Sequence, residues 1–326
     1  MTLRIGLVGC GTIARRSHLP SLRAAGDADV VAFASRSRSS AEVAAGEWGS
    51  GRVYDDWRRL VSDSDVDAVD ICSPNRSHAP VAVAAAEAGK HVLVEKPMAC
   101  TVEEADRMID AARAAGVVLA VAHNVRFAPP FFTAHRVVAD GAIGEVVGFR
   151  AGFGHAGPQE WAPEATWFFD HAQSGGGALI DLGIHVADLI RFVVADEVVD
   201  VSALLSRRHD GVDDAAQVIM RTGGGAVGSF HASWRARPGP DHQLTVFGTE
   251  GTLHLDRRTP LTLQRQGEKP ERIEPQAPPG DLFAGFVLAC TTGSPPPVSA
   301  EEGRAALAIV EAAYRSDATG RTTAPA

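Results

Sequence analysis

The sequence predicts an α/β protein: an N-terminal doubly wound parallel sheet, followed by an α+β domain with an open, mostly antiparallel sheet. Three observations carry that expectation. Continuous apolar runs alternate with alanine-rich stretches from Leu3 to Val121. A glycine turn, Gly9-Cys10-Gly11-Thr12-Ile13-Ala14, ends the first of those runs. After about residue 122 the rhythm changes to strand-like segments separated by turn dipeptides.

Leu3–Val8, Val30–Ala34, Ala68–Ile71, His91–Val94 and Val117–Val121 lack polar alternation, so each reads as a strand buried on both faces. Candidate helices lie at Ser40–Trp48, Ser77–Ala88 and Val102–Ala115. The last two end in Ala-Gly, a common C-terminal stop. Strand alternating with helix implies a parallel sheet. Further on, a helix is expected over Pro130–Ala139, a strand over Glu145–Gly154, then a loop rich in Gly, Pro and Trp, and a helix over Ala178–Val193. Strands are expected at Val198–Leu205, Ala215–Arg221, Ala226–Ser233, Leu244–Gly248 and Thr252–Leu255. Asp210-Gly211, Gly223-Gly224-Gly225 and Glu250-Gly251 mark turns between them. Helices at Asp281–Thr291 and Ala300–Ser316 close the chain, and the proline-rich stretches near 269–280 and 294–298 read as surface loops.

The 326 residues suffice for two domains, and 45% apolar with 22% charged residues favours packed cores over disorder. A formal charge of −9 argues against a nucleic-acid partner, which usually leaves a basic face. Cys10, Cys72, Cys100 and Cys290 form no C-x-x-C pair, so neither a disulfide framework nor a structural zinc is expected. No apolar run is long enough to span a membrane, and MTLRIGLVGCG is the wrong shape for a signal peptide. A cytoplasmic location is therefore expected.

The glycine turn fits G-x-G-x-x-G/A at the mouth of a βαβ unit. Gly9 permits the turn, Gly11 lets backbone approach a pyrophosphate, and Ala14 allows close helix–strand packing. Thr12 and Ile13 open the helix whose N–H groups face the phosphates. This is a dinucleotide-binding Rossmann signature. Where an NAD site would carry an acid after the second strand, the chain has Ser35-Arg36-Ser37-Arg38. A hydroxyl followed by guanidinium groups suits a 2′-phosphate, so NADP is preferred over NAD, with Ser35, Arg36 and Arg38 as its contacts. A solvated arginine pair is the competing reading. The expected division is 1–122 for NAD(P) binding and 123–326 for substrate binding and oligomerisation.

The run His91–Val94 leads into Glu95-Lys96-Pro97, and a lysine at the carboxyl end of a central parallel strand projects into the ligand crevice. Here the chain resembles the Gfo/Idh/MocA oxidoreductases, typified by glucose–fructose oxidoreductase and inositol dehydrogenases. Glu95-Lys96-Pro97 matches the family's E-K-P signature. Also similar are Ser73-Pro74-Asn75 with His78, His123-Asn124-Val125-Arg126-Phe127, the segment Gly175 to His185, and Glu311-Ala312-Ala313-Tyr314-Arg315-Ser316. The resemblance covers nearly the whole chain.

It implies that Lys96 meets both nicotinamide ribose and the reacting substrate oxygen, where an ammonium would stabilise alkoxide character. It implies cofactor contacts from Ser73, Pro74, Asn75, His78 and Glu95. Asp181 and His185 stand four apart on the expected helix and so share a face. A neutral imidazole can take a hydroxyl proton and return it. By resemblance His185 is the general acid/base and Asp181 its partner in the substrate site. A packing histidine, an Asp-x-x-x-His metal pair and a merely flexible Gly175-Gly176-Gly177 are the rival readings, and no metal is expected. Asn124 is assigned to the nicotinamide side and Arg126 to substrate hydroxyls, with structural roles equally credible. Trp161, Trp167 and His155 would line the substrate pocket, Trp167 by stacking on a sugar ring. Arg15 and Arg16 read as a solvated helix face.

The resulting expectation is an NAD(P)-dependent dehydrogenase or reductase that moves a hydride to or from a secondary hydroxyl of a sugar, sugar derivative or cyclitol. A redox-assisted glycosidase with retained cofactor and a non-catalytic cofactor or sugar sensor are the alternatives. Retention of Lys96, Asp181 and His185 counts against the sensor. The open sheet face makes a homodimer or homotetramer the expected assembly.

Overall fold

The N-terminal apolar runs pair as a six-stranded sheet in the computed structural model, which describes residues 2–208, 211–237, 239, 242–256 and 261–326. The strands are β1 (Leu3–Val8), β2 (Ala28–Ala34), β3 (Arg52–Tyr54), β4 (Ala68–Ile71), β5 (His91–Val94) and β6 (Leu119–Val121), in the order β3-β2-β1-β4-β5-β6. Every pairing is parallel. The expected doubly wound sheet is present. All its carboxyl ends therefore lie on one edge, and the order reverses between β1 and β4, where such sheets bind ligands.

The connecting helices are α1 (Leu19–Ala25), α2 (Arg38–Trp48), α3 (Trp57–Val61), α4 (His78–Glu87) and α5 (Val102–Ala115). α5 shows why these segments are helical. The Thr101 side chain accepts from the Glu104 N–H, Glu103 and Glu104 sit in the positive first turn, and Gly116 closes the helix at φ 67°. Val102, Ala105, Met108, Ile109 and Ala112 form its buried stripe.

The second unit holds an eight-stranded sheet. In chain order its elements are α6 (Pro129–Ala139), β7 (Val146–Gly154), α7 (His171–Ser174), α8 (Ile184–Val194), β8 (Val198–Ser206), β9 (Ala215–Thr222), β10 (Val227–Ser233), β11 (Gln243–Gly248), β12 (Gly251–Leu255), β13 (Leu261–Arg265) and β14 (Glu271–Ile273). The strand order is β14-β13-β12-β11-β7-β10-β9-β8. β7 and β10 pair parallel, and the other neighbours pair antiparallel. Along β9, Ala216, Val218, Met220 and Thr222 are buried while Gln217, Ile219 and Arg221 are exposed, so one face of this sheet is packed and the other open. The chain closes with α9 (Leu282–Thr292) and α10 (Ala300–Thr319).

One unit runs through His123 and regains Gly280–Arg304; the other comprises Asn124–Pro279 with Ala305–Ala326. The 280–304 segment thus packs with the parallel sheet, whereas the sequence reading gave it to the second domain. Val298 accepts the Val121 N–H, which ties the supposed loop 294–298 to β6. β3, α3, α7, β13 and β14 were not anticipated; β3 and β14 have three residues each and α7 has four, too few to show a period. β14 falls inside the stretch read as a proline-rich loop. Val117 and Val118 precede β6 rather than belonging to it. The Asp210 half of one turn signal lies outside the described residues. Among the described residues, no helix is long and apolar enough to cross a membrane.

Candidate active site

In the first unit, hydrogen bonds just past the strand ends gather the loops on the carboxyl edge. Gly9 N–H donates to Ala34, Cys72 N–H to Val8, and Glu95 N–H to Ile71, over 2.8, 2.7 and 2.9 Å. The glycine turn, Ser35-Arg36, Ser73-Pro74-Asn75 and Glu95-Lys96 thereby become neighbours. Gly9 has φ 93°, and a Cβ there would run into the backbone of Cys72 and Ser73. Glycine is therefore needed both for the turn and for the close approach of β4's loop. A Cβ on Gly11 would meet nothing within 4 Å, and Ala14 is fully buried. Open backbone at Gly11 beside a helix start is what a dinucleotide pyrophosphate needs, so these residues fit such a cofactor. The helix that follows Thr12 and Ile13 contains a π-helical turn, Ala14–His18, before α1.

Ser35 is half-buried directly after β2. Arg38 is committed to Glu42 one helical turn away, and Arg15 to Glu47. Arg36 is exposed and makes no hydrogen bond or ion pair among the described residues. Of the three residues expected at a 2′-phosphate, the Ser35 and Arg36 side chains make no bond among the described residues and Arg38 is paired.

Lys96 is half-buried after β5, and the Lys96–Pro97 peptide is cis. Two residues assigned to the cofactor face inward instead. His78 is buried, with one ring nitrogen 2.8 Å from the Pro97 carbonyl oxygen and the other 2.7 Å from that of Ser73. It lies between the 73–75 loop and the 95–97 loop, and burial holds its pKa below the ordinary value, which favours the neutral ring with a single N–H to donate. Glu95 turns its carboxylate onto His18 Nε2 at 2.9 Å, while its other oxygen accepts the Lys96 N–H at 2.9 Å. His18 Nδ1 lies 2.9 and 3.0 Å from the two oxygens of Asp70. Asp70, His18 and Cys72 bring metal-type donors within 4.8 Å of one another, but His18 and Asp70 are already at mutual hydrogen-bond distance.

In the second unit the segment carrying Asp181 and His185 starts as a π-helical turn, Leu179–Gly183, and continues as α8. The expected helix is present, with a π-helical first turn. Asp213 builds this start: its carboxylate accepts from Gly177 and Leu179 N–H at 2.8 and 2.7 Å and from the Tyr314 hydroxyl at 2.8 Å. A Cβ on Gly176 would strike the Tyr314 hydroxyl, and one on Gly177 the Asp213 carbonyl oxygen. Gly176 and Gly177 are thus packing requirements rather than a flexible connector, and Gly175 closes α7 at φ 77°.

Asp181 is buried and accepts from Trp234 Nε1 at 3.0 Å. His185 is half-buried, edge-on to Phe153 and His242 with centroids 5.9 and 5.8 Å away. Trp167 stacks on Phe168 at 3.9 Å, and Trp161, Phe168 and Phe169 continue an aromatic cluster to Trp234. His155 Nδ1 accepts the Gly157 N–H. Asn124 opens a short 3-10 turn over Asn124–Phe127. Arg126, on that turn, was assigned to substrate. It is buried, and its Nε and Nη2 are taken up by Asp188 of α8 at 2.8 and 2.6 Å. Trp234, Asp213 and His242 are site residues that sequence reasoning missed, since their partners lie tens of residues away.

Two family models match the chain. The oxidoreductase family with an NAD-binding Rossmann fold matches residues 3–123, and the GFO/IDH/MocA C-terminal domain matches residues 131–254. The 1,5-anhydro-D-fructose reductase of Ensifer adhaerens is 33% identical over 98% of this chain and 97% of its own length. The myo-inositol 2-dehydrogenase of Thermotoga maritima is 31% identical over 96% of both. A levoglucosan dehydrogenase solved with NADH and levoglucosan superposes with a TM-score of 0.87 at 27% identity, covering 100% of both chains.

Proposed function

The chain belongs to the GFO/IDH/MocA oxidoreductases, and from that premise we propose that it moves a hydride between a nicotinamide cofactor, preferentially NADP, and a secondary alcohol or ketone of a sugar, sugar derivative or cyclitol. The observation that carries the reading is Lys96 directly after β5, on the same sheet edge as the glycine turn and Ser35-Arg36.

When bound, the cofactor donates or accepts the hydride. Gly9, Gly11 and the helix start hold its pyrophosphate, and Ser73, Pro74 and Asn75 border it. Lys96 presents an ammonium to the reacting oxygen and stabilises negative charge as it develops there. His185 takes the hydroxyl proton in oxidation and returns it in reduction. Asp181, held by Trp234, orients the polar groups around it. Arg36 supplies a guanidinium for the 2′-phosphate, and no acid stands after β2 to repel one. The aromatic cluster around Trp161 and Trp167 offers faces suited to sugar rings.

The assembly is proposed to form through the open sheet face. Strand register places Leu204, Ile219, Val227 and Phe247 on that one face, exposed by 78, 52, 54 and 40%. Such a set of exposed apolar side chains on one face is suited to a second copy. Ile219→Asp should convert an oligomer to a smaller species on size exclusion; an unchanged elution volume would reject this face.

The test of function is a tryptophan-fluorescence titration with NADPH and NADH, followed by a screen of ketoses, keto-sugars and polyols at the nicotinamide absorbance. Tight NADPH binding, weaker NADH binding and turnover abolished by Lys96→Ala are expected. Preference for NADH would reject NADP while leaving the oxidoreductase standing. Full turnover in Lys96→Ala would reject the assigned role of the lysine.

A further inference from the structure

Beneath the Glu95-Lys96 segment lies a buried group of charges that the reaction above does not use. His18 ends the π-helical turn Ala14–His18 and is 1% exposed; Asp70 projects from the middle of β4 and is 0% exposed. Both ring nitrogens of His18 face carboxylate oxygens: Nδ1 those of Asp70 at 2.9 and 3.0 Å, Nε2 that of Glu95 at 2.9 Å. A neutral imidazole has one N–H, and its bare nitrogen would then oppose an anion. Both nitrogens must therefore donate, and the ring is an imidazolium between two carboxylates. The remaining Glu95 oxygen accepts the Lys96 backbone N–H at 2.9 Å. A continuous chain of charge-assisted bonds thus runs from Asp70 through His18 and Glu95 to the backbone that carries the lysine.

The other neighbours agree with that state. Cys72 Sγ lies 3.2 Å from Nδ1, and the Phe283 ring of α9 packs edge-on at 4.9 Å, while Lys96 and His78 act on the Glu95 side of the cluster. Burial works against protonation, but Asp70 and Cys72 outweigh it and raise the His18 pKa well above its ordinary value. Burial would raise the Glu95 pKa, yet the bond and charge of His18 lower it.

We infer that His18 is a positioning residue: a buried clamp, bonded on both ring nitrogens to carboxylates, that through Glu95 fixes the backbone from which Lys96 acts. The inference rests on the proposed role of Lys96 at the reacting oxygen. It concerns a group that is buried beneath the sheet edge.

Two measurements on the full chain test it. The first is the histidine side-chain 15N spectrum between pH 6 and pH 9, with His18 assigned by its loss in His18→Gln. Both nitrogens should stay protonated through the range in which a free imidazole, of pKa about 6.5, deprotonates. A neutral tautomer at pH 8 would overturn the inference. The second is kinetic. His18→Gln and Glu95→Gln should each lower kcat by about tenfold or more, leave NADPH affinity within about threefold, and give a double variant no slower than the worse single one. Wild-type kcat in folded His18→Gln, or fully additive losses, would overturn it. Should His18→Gln fail to fold, Glu95→Gln and the unmodified protein's spectrum, assigned by elimination against the other histidines, still decide. Full activity in Lys96→Ala would instead defeat the reading of the lysine and leave the imidazolium result standing.

Discussion

Trp234 Nε1 donates to Asp181 Oδ2 across 3.0 Å, and each residue is only 6% exposed. A carboxylate so buried is held by its donors. The indole also joins this carboxylate to the aromatic cluster, because Phe168 and Phe169 pack edge-on against Trp234. One ring thus couples the polar centre of the second unit to its aromatic wall.

Trp234→Phe keeps most of that packing and removes the donor. A hydrogen bond to a charged group contributes about 1.5–3 kcal/mol, so kcat/KM should fall roughly 10- to 100-fold with little change in cofactor affinity. Steady-state kinetics with any accepted sugar measures it. Unaltered kcat/KM would show that Asp181 needs no such anchor.

Gly177→Ala should cost far more stability than an ordinary loop substitution. The added Cβ would overlap the Asp213 carbonyl oxygen, which accepts the Ala178 N–H at 2.8 Å. Neither backbone can yield without breaking the Asp213 bonds to Gly177, Leu179 and Tyr314. A loss of several kcal/mol is expected, read as a fall of roughly 5–15 °C in the melting transition of the second unit. Gly26→Ala is the contrasting control for steric overlap, since a Cβ there meets nothing within 4 Å, although its φ of 81° carries the backbone strain alone.

These relationships show what was legible in the sequence. Buried parallel strands announce themselves as unbroken apolar runs, and the Gly9–Ala14 turn and Asp181–His185 spacing are local patterns, so each could be read along the chain. Trp234 and Asp213 could not, because their partners stand 53 residues away for Trp234 and 34 and 36 away for Asp213. Only tertiary folding joins them. Glu95 was misplaced for a related reason. Its inward turn depends on His18, 77 residues distant. The available signal was Asp70, an acid inside the apolar strand Ala68–Ile71, since a buried carboxylate demands a cation or donors. The short edge strands β3 and β14 have three residues each, too few for any period to show.

Arg36→Ala tests the cofactor preference. Its guanidinium makes no bond among the described residues, so the substitution breaks nothing in the fold. A charge-assisted contact to a 2′-phosphate should then be lost alone. NADPH affinity should fall about 10- to 100-fold while NADH affinity stays within about twofold. Equal weakening of both would place Arg36 elsewhere on the cofactor. Arg38→Ala should do much less, since Arg38 is already paired with Glu42.

The buried charges around His18 also set a pH signature for stability. The His18 pKa is raised in the folded state, so its contribution is fully present below the unfolded value of about 6.5 and is lost as pH rises through the folded value. The Glu95 pKa is lowered, so its contribution is present above about 4.3 and is lost as pH falls through the folded value. The two favourable states overlap between the ordinary carboxylate and imidazole ranges. The melting temperature of the native chain should therefore exceed that of His18→Gln by the widest margin near pH 5–6, and the margin should narrow steadily toward pH 9 and above. A margin that instead widened with pH would mean that His18 is neutral in the fold, with its bare nitrogen set against a carboxylate.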